Sequence, residues 1–276
     1  MIQPGIFNLL TAKRIAPPGM YLVDDEDTEV LLPNKYIPED MLIDDEINVF
    51  IFYDSEDRMT ATTVKPKIEL HQFAGLTVKD VTPFGAFMDW GLEKDLLVPF
   101  SEQDRRMQRG ATYLIYLYFD ETTDRLVGTS KVSKHLERDH VDLKQGDEVE
   151  LLLGDATDLG IKVIVNNKHD GLLYHSEIFK NLQLGERRKG YVKTVRDDGK
   201  IDVSLEKQGY QNVEPNAQKI LDKLKANGGF LPLHDKSSPD MIQMHLEMSK
   251  KTFKKAVGAL YREKVIRLEG KGIHLN

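Results

Sequence analysis

The sequence of 276 residues predicts a mainly β chain: three tandem five-stranded barrels, then a C-terminal α+β module. Three observations carry this. One spaced pattern occurs three times: Gly19, Gly85 and Gly160 each precede, by 14 residues, Pro33, Pro99 and Tyr174, and the pairs Leu31-Leu32, Leu97-Val98 and Leu172-Leu173 come just before those positions. A basic residue, Arg58, Arg125 or Lys200, follows each glycine by 39 or 40 positions. The second copy starts 66 residues after the first and the third 75 after the second, which suits three copies of a small domain better than a solenoid. Beyond Gln211 the apolar spacing changes from period two to helical.

The expected domains are 1–65, 66–138, 139–210 and 211–276. The first copy is the most divergent, with an acidic loop at 24–27 where a plain hairpin is expected. The second is the clearest. Residues 73–81 read as a strand by their branched and apolar content. The chain then turns sharply at 83–85 and continues as a second strand to Trp90. Gly85 fits a tightly coiled strand, where a side chain would block close backbone approach. Residues 96–98, 113–119 and 125–129 supply three more strands, and 120–124 is a polar hairpin loop. Five strands in about 65 residues suggest closure, which removes exposed sheet edges. The third copy repeats the order at 148–153, 161–165, 171–174, 190–195 and 200–205.

In the C-terminal module, residues 215–226 place Ala217, Ile220, Leu221 and Leu224 on one helical face, and Asn227-Gly228-Gly229 ends it. Ser238-Pro239 opens a second helix to about His245. Ser249 caps a third, to about Glu263, with Phe253, Val257 and Leu260 inward. Residues 265–268 and 273–275 flank a turn and read as a hairpin. Three helices and a terminal hairpin make a winged helix-turn-helix. Its third helix exposes Lys250, Lys251, Lys254 and Lys255. Lysines act mainly as phosphate contacts, and the scarcity of Asn, Gln and Arg there argues against base-specific groove reading. A solvated lysine face on a protein-binding winged helix is the alternative.

Charge is uneven. Residues 1–138 hold 15 Lys and Arg against 24 Asp and Glu; residues 139–179 hold 3 against 9; residues 180–276 hold 20 against 12. A basic C-terminal third on a chain of net charge −7 suggests a local polyanion-binding surface, or else a solvated basic face. There is no cysteine, which excludes disulfides and thiolate metal sites and suits a reducing cytosol. No apolar run approaches membrane-spanning length, and Met1-Ile2-Gln3-Pro4 lacks the features of a signal peptide. The expectation is a cytoplasmic protein without membrane contact.

Several residues of the repeats resemble the S1 RNA-binding domain, an OB-fold barrel. They are Phe84-Gly85-Ala86-Phe87 with Leu97-Val98-Pro99-Phe100-Ser101-Glu102, and Gly171-Leu172-Leu173-Tyr174-His175-Ser176-Glu177-Ile178 with Gly190-Tyr191-Val192 and Gly199-Lys200-Ile201-Asp202-Val203-Ser204-Leu205. The resemblance implies three OB-fold, S1-like barrels. It also implies an RNA-binding face with two aromatics on strands two and three, a His after the third strand's apolar pair and a basic residue near the last hairpin. Copy two has Phe84 and Phe87 at the aromatic positions and Pro99 at the His position. Copy three has Leu159 and Lys162, with Tyr174 at the His position, and copy one keeps Tyr21. Unpaired bases stack on flat aromatics while cations hold the phosphates. The alternative is that Phe84 and Phe87 fill the barrel: three residues apart, they point to opposite faces unless a bulge at Gly85 intervenes. Three barrels followed by a winged helix resemble the conserved virulence factor B family of bacterial proteins, also known as the YitL family. This implies a cytosolic RNA-binding regulator without catalytic activity.

Catalytic chemistry is sparse. The eight histidines show no His-x-x-x-His or His-x-x-His spacing, and no phosphate loop or nucleophile elbow is present. The acidic runs at 24–27 and 44–46 read as solvated loops rather than divalent-ion sites. No cofactor and no metal are expected. The leading expectation is a monomeric regulator of single-stranded RNA. In barrel three its surface would comprise Tyr174, Lys162, Arg187, Arg188, Lys189, Lys193, Arg196 and Lys200. The winged helix would join it with Lys250, Lys251, Lys254, Lys255, Arg262 and Lys271, and barrel two would add Phe84 and Phe87. Rivals are a duplex-DNA transcription regulator acting through the winged helix, and a scaffold for ribosomal or polymerase proteins.

Overall fold

The computed structural model describes residues 1–178, 181–206, 213–262, 264–270 and 272–276. Alternating apolar residues in the first copy form β1 (Phe7–Ala16), β2 (Gly19–Val23), β3 (Glu29–Pro33), β4 (Glu46–Tyr53) and β5 (Met59–Thr62). They close into a barrel in the order β1-β2-β3-β5-β4, with β3 and β5 parallel. The second copy supplies β6 (Phe73–Thr82), β7 (Gly85–Asp89), β8 (Leu96–Pro99), β9 (Thr112–Asp120) and β10 (Arg125–Thr129) as a five-stranded sheet. Here, among the described residues, no backbone ladder joins the two end strands, β8 and β10, although they lie close together. A Cβ on Gly128 would lie 2.9 Å from Val98 Cγ2, and the Ser130 N–H and Thr129 hydroxyl donate to the Glu102 carbonyl at 3.0 and 3.2 Å. The third copy closes fully with β11 (Glu148–Ala156), β12 (Gly160–Val165), β13 (His169–Tyr174), β14 (Arg187–Val195) and β15 (Ile201–Ser204).

The repeated spacing has a direct structural cause. Gly19 pairs with Pro33, Gly85 with Pro99 and Gly160 with Tyr174 across the β2–β3, β7–β8 and β12–β13 hairpins. A Cβ on each glycine would lie 2.8, 2.8 and 2.7 Å from the partner's Cα, inside any normal contact. Only glycine allows the strands this close.

Strand β4 serves two cores. Val49 and Ile51 pack with Leu10, Leu22 and Leu32 of the first barrel. Phe50 and Phe52 point the other way, among Trp90, Ile115 and Leu117 of the second sheet, and Phe50 meets Trp90 edge-on at 5.9 Å. A strand buried on both faces reads as a continuous apolar run, as Val49-Phe50-Ile51-Phe52 does. Each buried phenyl ring contributes about 2–3 kcal/mol.

Contacts divide the chain into two units: Met1–Leu136 with Leu184–Glu186, and Glu137–Gln183 with Arg187–Asn276. In the second unit, α1 (Val213–Ala226), α2 (Pro239–Leu246) and α3 (Lys250–Arg262) surround a core of Ile220, Leu224, Ile242, Phe253 and Leu260. Ser238 caps α2 by accepting the Met241 N–H at 3.3 Å, and the Ser249 hydroxyl accepts the Thr252 N–H at the start of α3. The wing contains β17 (Ile266–Glu269) and β18 (Gly272–Leu275), joined by β16 (Phe230–Leu231), which pairs with β18. At two residues β16 is too short to leave a periodic signal in the sequence. The expected boundary at 210 and the site candidate Lys271 lie outside the described residues. Among the described residues, no helix is long and apolar enough to cross a membrane.

Candidate nucleic-acid interface

Pro83 and Phe84 form the tight turn between β6 and β7, so Phe84 lies outside the strand and the parity conflict with Phe87 does not arise. The register shift of this hairpin lies not at Gly85 but on the neighbouring strand, between Val78 and Asp80. The Phe84 N–H donates to the Thr82 hydroxyl at 3.2 Å, and its ring is 75% exposed. Phe87, on β7 opposite Leu97, is half-buried. Neither ring joins the core cluster. Both line one cavity of about 400 Å³ with Tyr53, Trp90, Lys94 and Arg125.

The cations of this cavity are held by barrel one. The Asp57 carboxylate accepts from Lys94 Nζ at 2.7 Å through one oxygen and from Arg125 Nη2 through the other. The hydrogen bond from the Lys94 ammonium holds the Asp57 carboxyl below its ordinary range. Arg125 is the basic residue 40 positions after Gly85. It was part of the repeat pattern yet was not among the expected site residues, and that spacing was the signal for it. Nothing in the sequence links Lys94 or Asp57 to Phe84. The corresponding aromatic of barrel one, Tyr21, is covered by the Arg14 guanidinium, 3.6 Å above its ring, and Arg14 is ion-paired with Glu29.

Barrel three presents a different picture. Tyr174 is half-buried, and its hydroxyl accepts from Arg196 Nη2 at 2.7 Å. Arg196 also binds Asp202, which raises its pKa. Lys193 pairs with Glu177 at 2.6 Å, Lys200 with Asp198 at 3.3 Å and Lys189 with Glu148 at 2.7 Å, and Arg187 pairs with Glu150. Arg188 lies between Arg187 and Lys189 on β14. The run that reads as purely basic in the sequence therefore faces the acidic residues of β11 across the ladder. Lys162 stands exposed on β12 opposite Leu172. Exposed ion pairs of this kind are weak and salt-sensitive, so a polyanion can compete for them.

The third helix is not neutralised. Lys251, Lys254 and Lys255 are exposed and Lys250 half-buried. Among the described residues none of the four has an ion-pair partner. Arg262 at the end of α3 is exposed, and its Nε donates to the Gly258 carbonyl at 3.2 Å. Phe253, Ala256, Val257 and Leu260 take the opposite face into the core. The arrangement offers positive charge aimed at solvent on a helix that itself carries no Asn or Gln.

The acidic loops of barrel one cap backbone. Asp24 accepts the N–H groups of Glu26 and Thr28, and Asp45 that of Leu42. Among the described residues no three His, Cys, Asp or Glu side chains converge as metal ligands.

Residues 218–275 match the CvfB-like winged helix domain family and residues 4–64 the S1 domain family, both nucleic-acid-binding domain types. The S1 match falls on the first barrel, the copy expected to be the most divergent of the three. YitL of Bacillus subtilis is 31% identical over 95% of this chain and 90% of its own length. Conserved virulence factor B of Staphylococcus epidermidis is 26% identical over 89% of this chain and 85% of its own. A crystal structure of a Streptococcus pneumoniae multidomain protein with nucleic acid binding domains aligns over 99% of this chain and 98% of its own, at 24% identity and a TM-score of 0.46.

Proposed function

The chain belongs to the family of YitL and conserved virulence factor B, and from that premise we propose that it is a non-catalytic regulator that binds single-stranded RNA. The observation that carries this is the meeting of one exposed and one half-buried phenyl ring with two cations in one cavity of barrel two: Phe84, Phe87, Lys94 and Arg125. Flat rings stack bases of any sequence, and cations beside them hold the backbone. The third-helix lysines and the cations of barrel three, exposed Lys162 and half-buried Lys200 among them, would add phosphate contacts. The protein would act in the cytosol, as a monomer and without a cofactor.

The unpaired third-helix lysines also favour a second reading, duplex DNA held by its phosphates. Anisotropy titrations of labelled single-stranded RNA and duplex DNA of equal length, at about 50 and about 200 mM salt, separate the two. Tighter, salt-sensitive binding of the single strand is expected. Preference for the duplex would transfer the function to the winged helix, and binding to neither would favour a protein scaffold.

A further inference from the structure

The position of Asp57 asks for an explanation beyond structural pairing. Its hairpin is closed by side-chain hydrogen bonds: Asp54 accepts the N–H groups of Glu56 and Arg58 at 2.9 and 3.0 Å, and the Arg58 guanidinium at 2.9 Å. Asp57 itself sits in the left-handed region, at φ 58°, with its N–H bonded to the Asp54 carbonyl at 3.0 Å. The Lys94 ammonium spans the same hairpin, donating to the Asp54 carbonyl at 2.6 Å as well as to Asp57. Barrel one thus delivers a single carboxylate to the rim of barrel two's aromatic cavity, where it bridges both cations.

A carboxylate and a phosphodiester make similar charge-assisted hydrogen bonds to Lys and Arg. Resting on the RNA reading above, we propose that Lys94 and Arg125 are the phosphate seat of this cavity. Asp57 is then its internal occupant, displaced when single-stranded RNA stacks on Phe84 and Phe87. The carboxylate is 47% exposed and its partners 33% and 54%, so the bridge is open to competition from solvent ions and polyanions. A phosphodiester offers the same charge with base stacking in addition. Displaced, Asp57 would repel the bound backbone, so its presence lowers affinity and discriminates against polyanions that cannot stack.

The test uses the full chain and a labelled oligouridylate of roughly a dozen nucleotides. Asp57→Asn keeps the hairpin's shape and is expected to bind about 3- to 10-fold more tightly at low salt. Adding Lys94→Met and Arg125→Met should abolish that gain. In the Asp57 background the same two substitutions should weaken binding by roughly tenfold, which keeps the test independent of the stability of the Asn variant. Unchanged or weaker binding by Asp57→Asn with an unchanged unfolding midpoint overturns the proposal, as does unimpaired binding by Lys94→Met with Arg125→Met. Phe84→Ala separates the two levels. If it weakens binding while Asp57→Asn has no effect, the cavity binds RNA but the phosphate seat is wrong. If neither substitution matters, the RNA reading of this cavity fails with it.

Discussion

A methyl group on Gly85 would lie 2.8 Å from the Cα of Pro99 and closer still to the Val98 carbonyl oxygen. Gly85→Ala must therefore part β7 from β8, and we expect a cost of about 2–4 kcal/mol, read from the urea midpoint. That glycine was legible in the sequence because its partner recurs at a fixed distance in all three copies. The His135 ring was not legible as a contact. It stacks on Tyr116 at 4.0 Å, while the Tyr116 hydroxyl bonds His71 at 3.0 Å. Burial pushes the His135 pKa below its ordinary 6.5; Glu102 opposes this, and Lys134 and His71 add to it. As the pH falls below that value the unfolded chain takes the proton first, so stability is lost in the window from about 6.5 down to the folded pKa. Wild type should lose more stability than His135→Leu between about pH 7.5 and 5.5. Equal losses would show that the stack does not titrate.

At the scale of elements, α3 has its charge and its core face cleanly separated. Replacing Lys250, Lys251, Lys254 and Lys255 by Glu should leave the helix folded, since the core is held by Phe253, Ala256, Val257 and Leu260. The replacement should weaken RNA binding and flatten its salt dependence, by roughly 0.7 in the logarithmic slope per lost phosphate contact on a single strand. An unchanged slope would remove α3 from the interface. Three helices, the serine caps of α2 and α3 and nearly every barrel strand follow from period, glycine and turn residues. What escaped was set by tertiary contact. The two-residue β16 exists only because β18 lies beside it. The double duty of β4 depends on a neighbouring sheet that local pattern does not announce. The basic run from Arg187 to Lys189 looks uncompensated along the chain, because Glu150 and Glu148 stand 37 and 41 residues from their partners Arg187 and Lys189 and meet them only across the ladder.

For the whole molecule, an acidic chain with locally unpaired cations should bind polyanions selectively by place rather than by net charge. Of the proposed site, Phe84 and Phe87 were reached through the resemblance to S1 domains, and Arg125 lay in the repeated spacing. Lys94 and Asp57 depend on how barrel one packs against barrel two, which no local spacing encodes. The measurement that bears most directly on the account is single-stranded RNA affinity of the full chain with Phe84→Ala and Phe87→Ala, at about 50 mM salt and beside the wild type. Base–aromatic stacking is worth about 1–3 kcal/mol per base, and Phe84 is too exposed to support the fold. Binding by the folded double variant should therefore fall by tenfold or more; Phe84→Ala alone should barely move the unfolding midpoint, and the midpoint of the double variant controls for the half-buried Phe87. Wild-type affinity retained by the double variant would contradict RNA binding in this cavity.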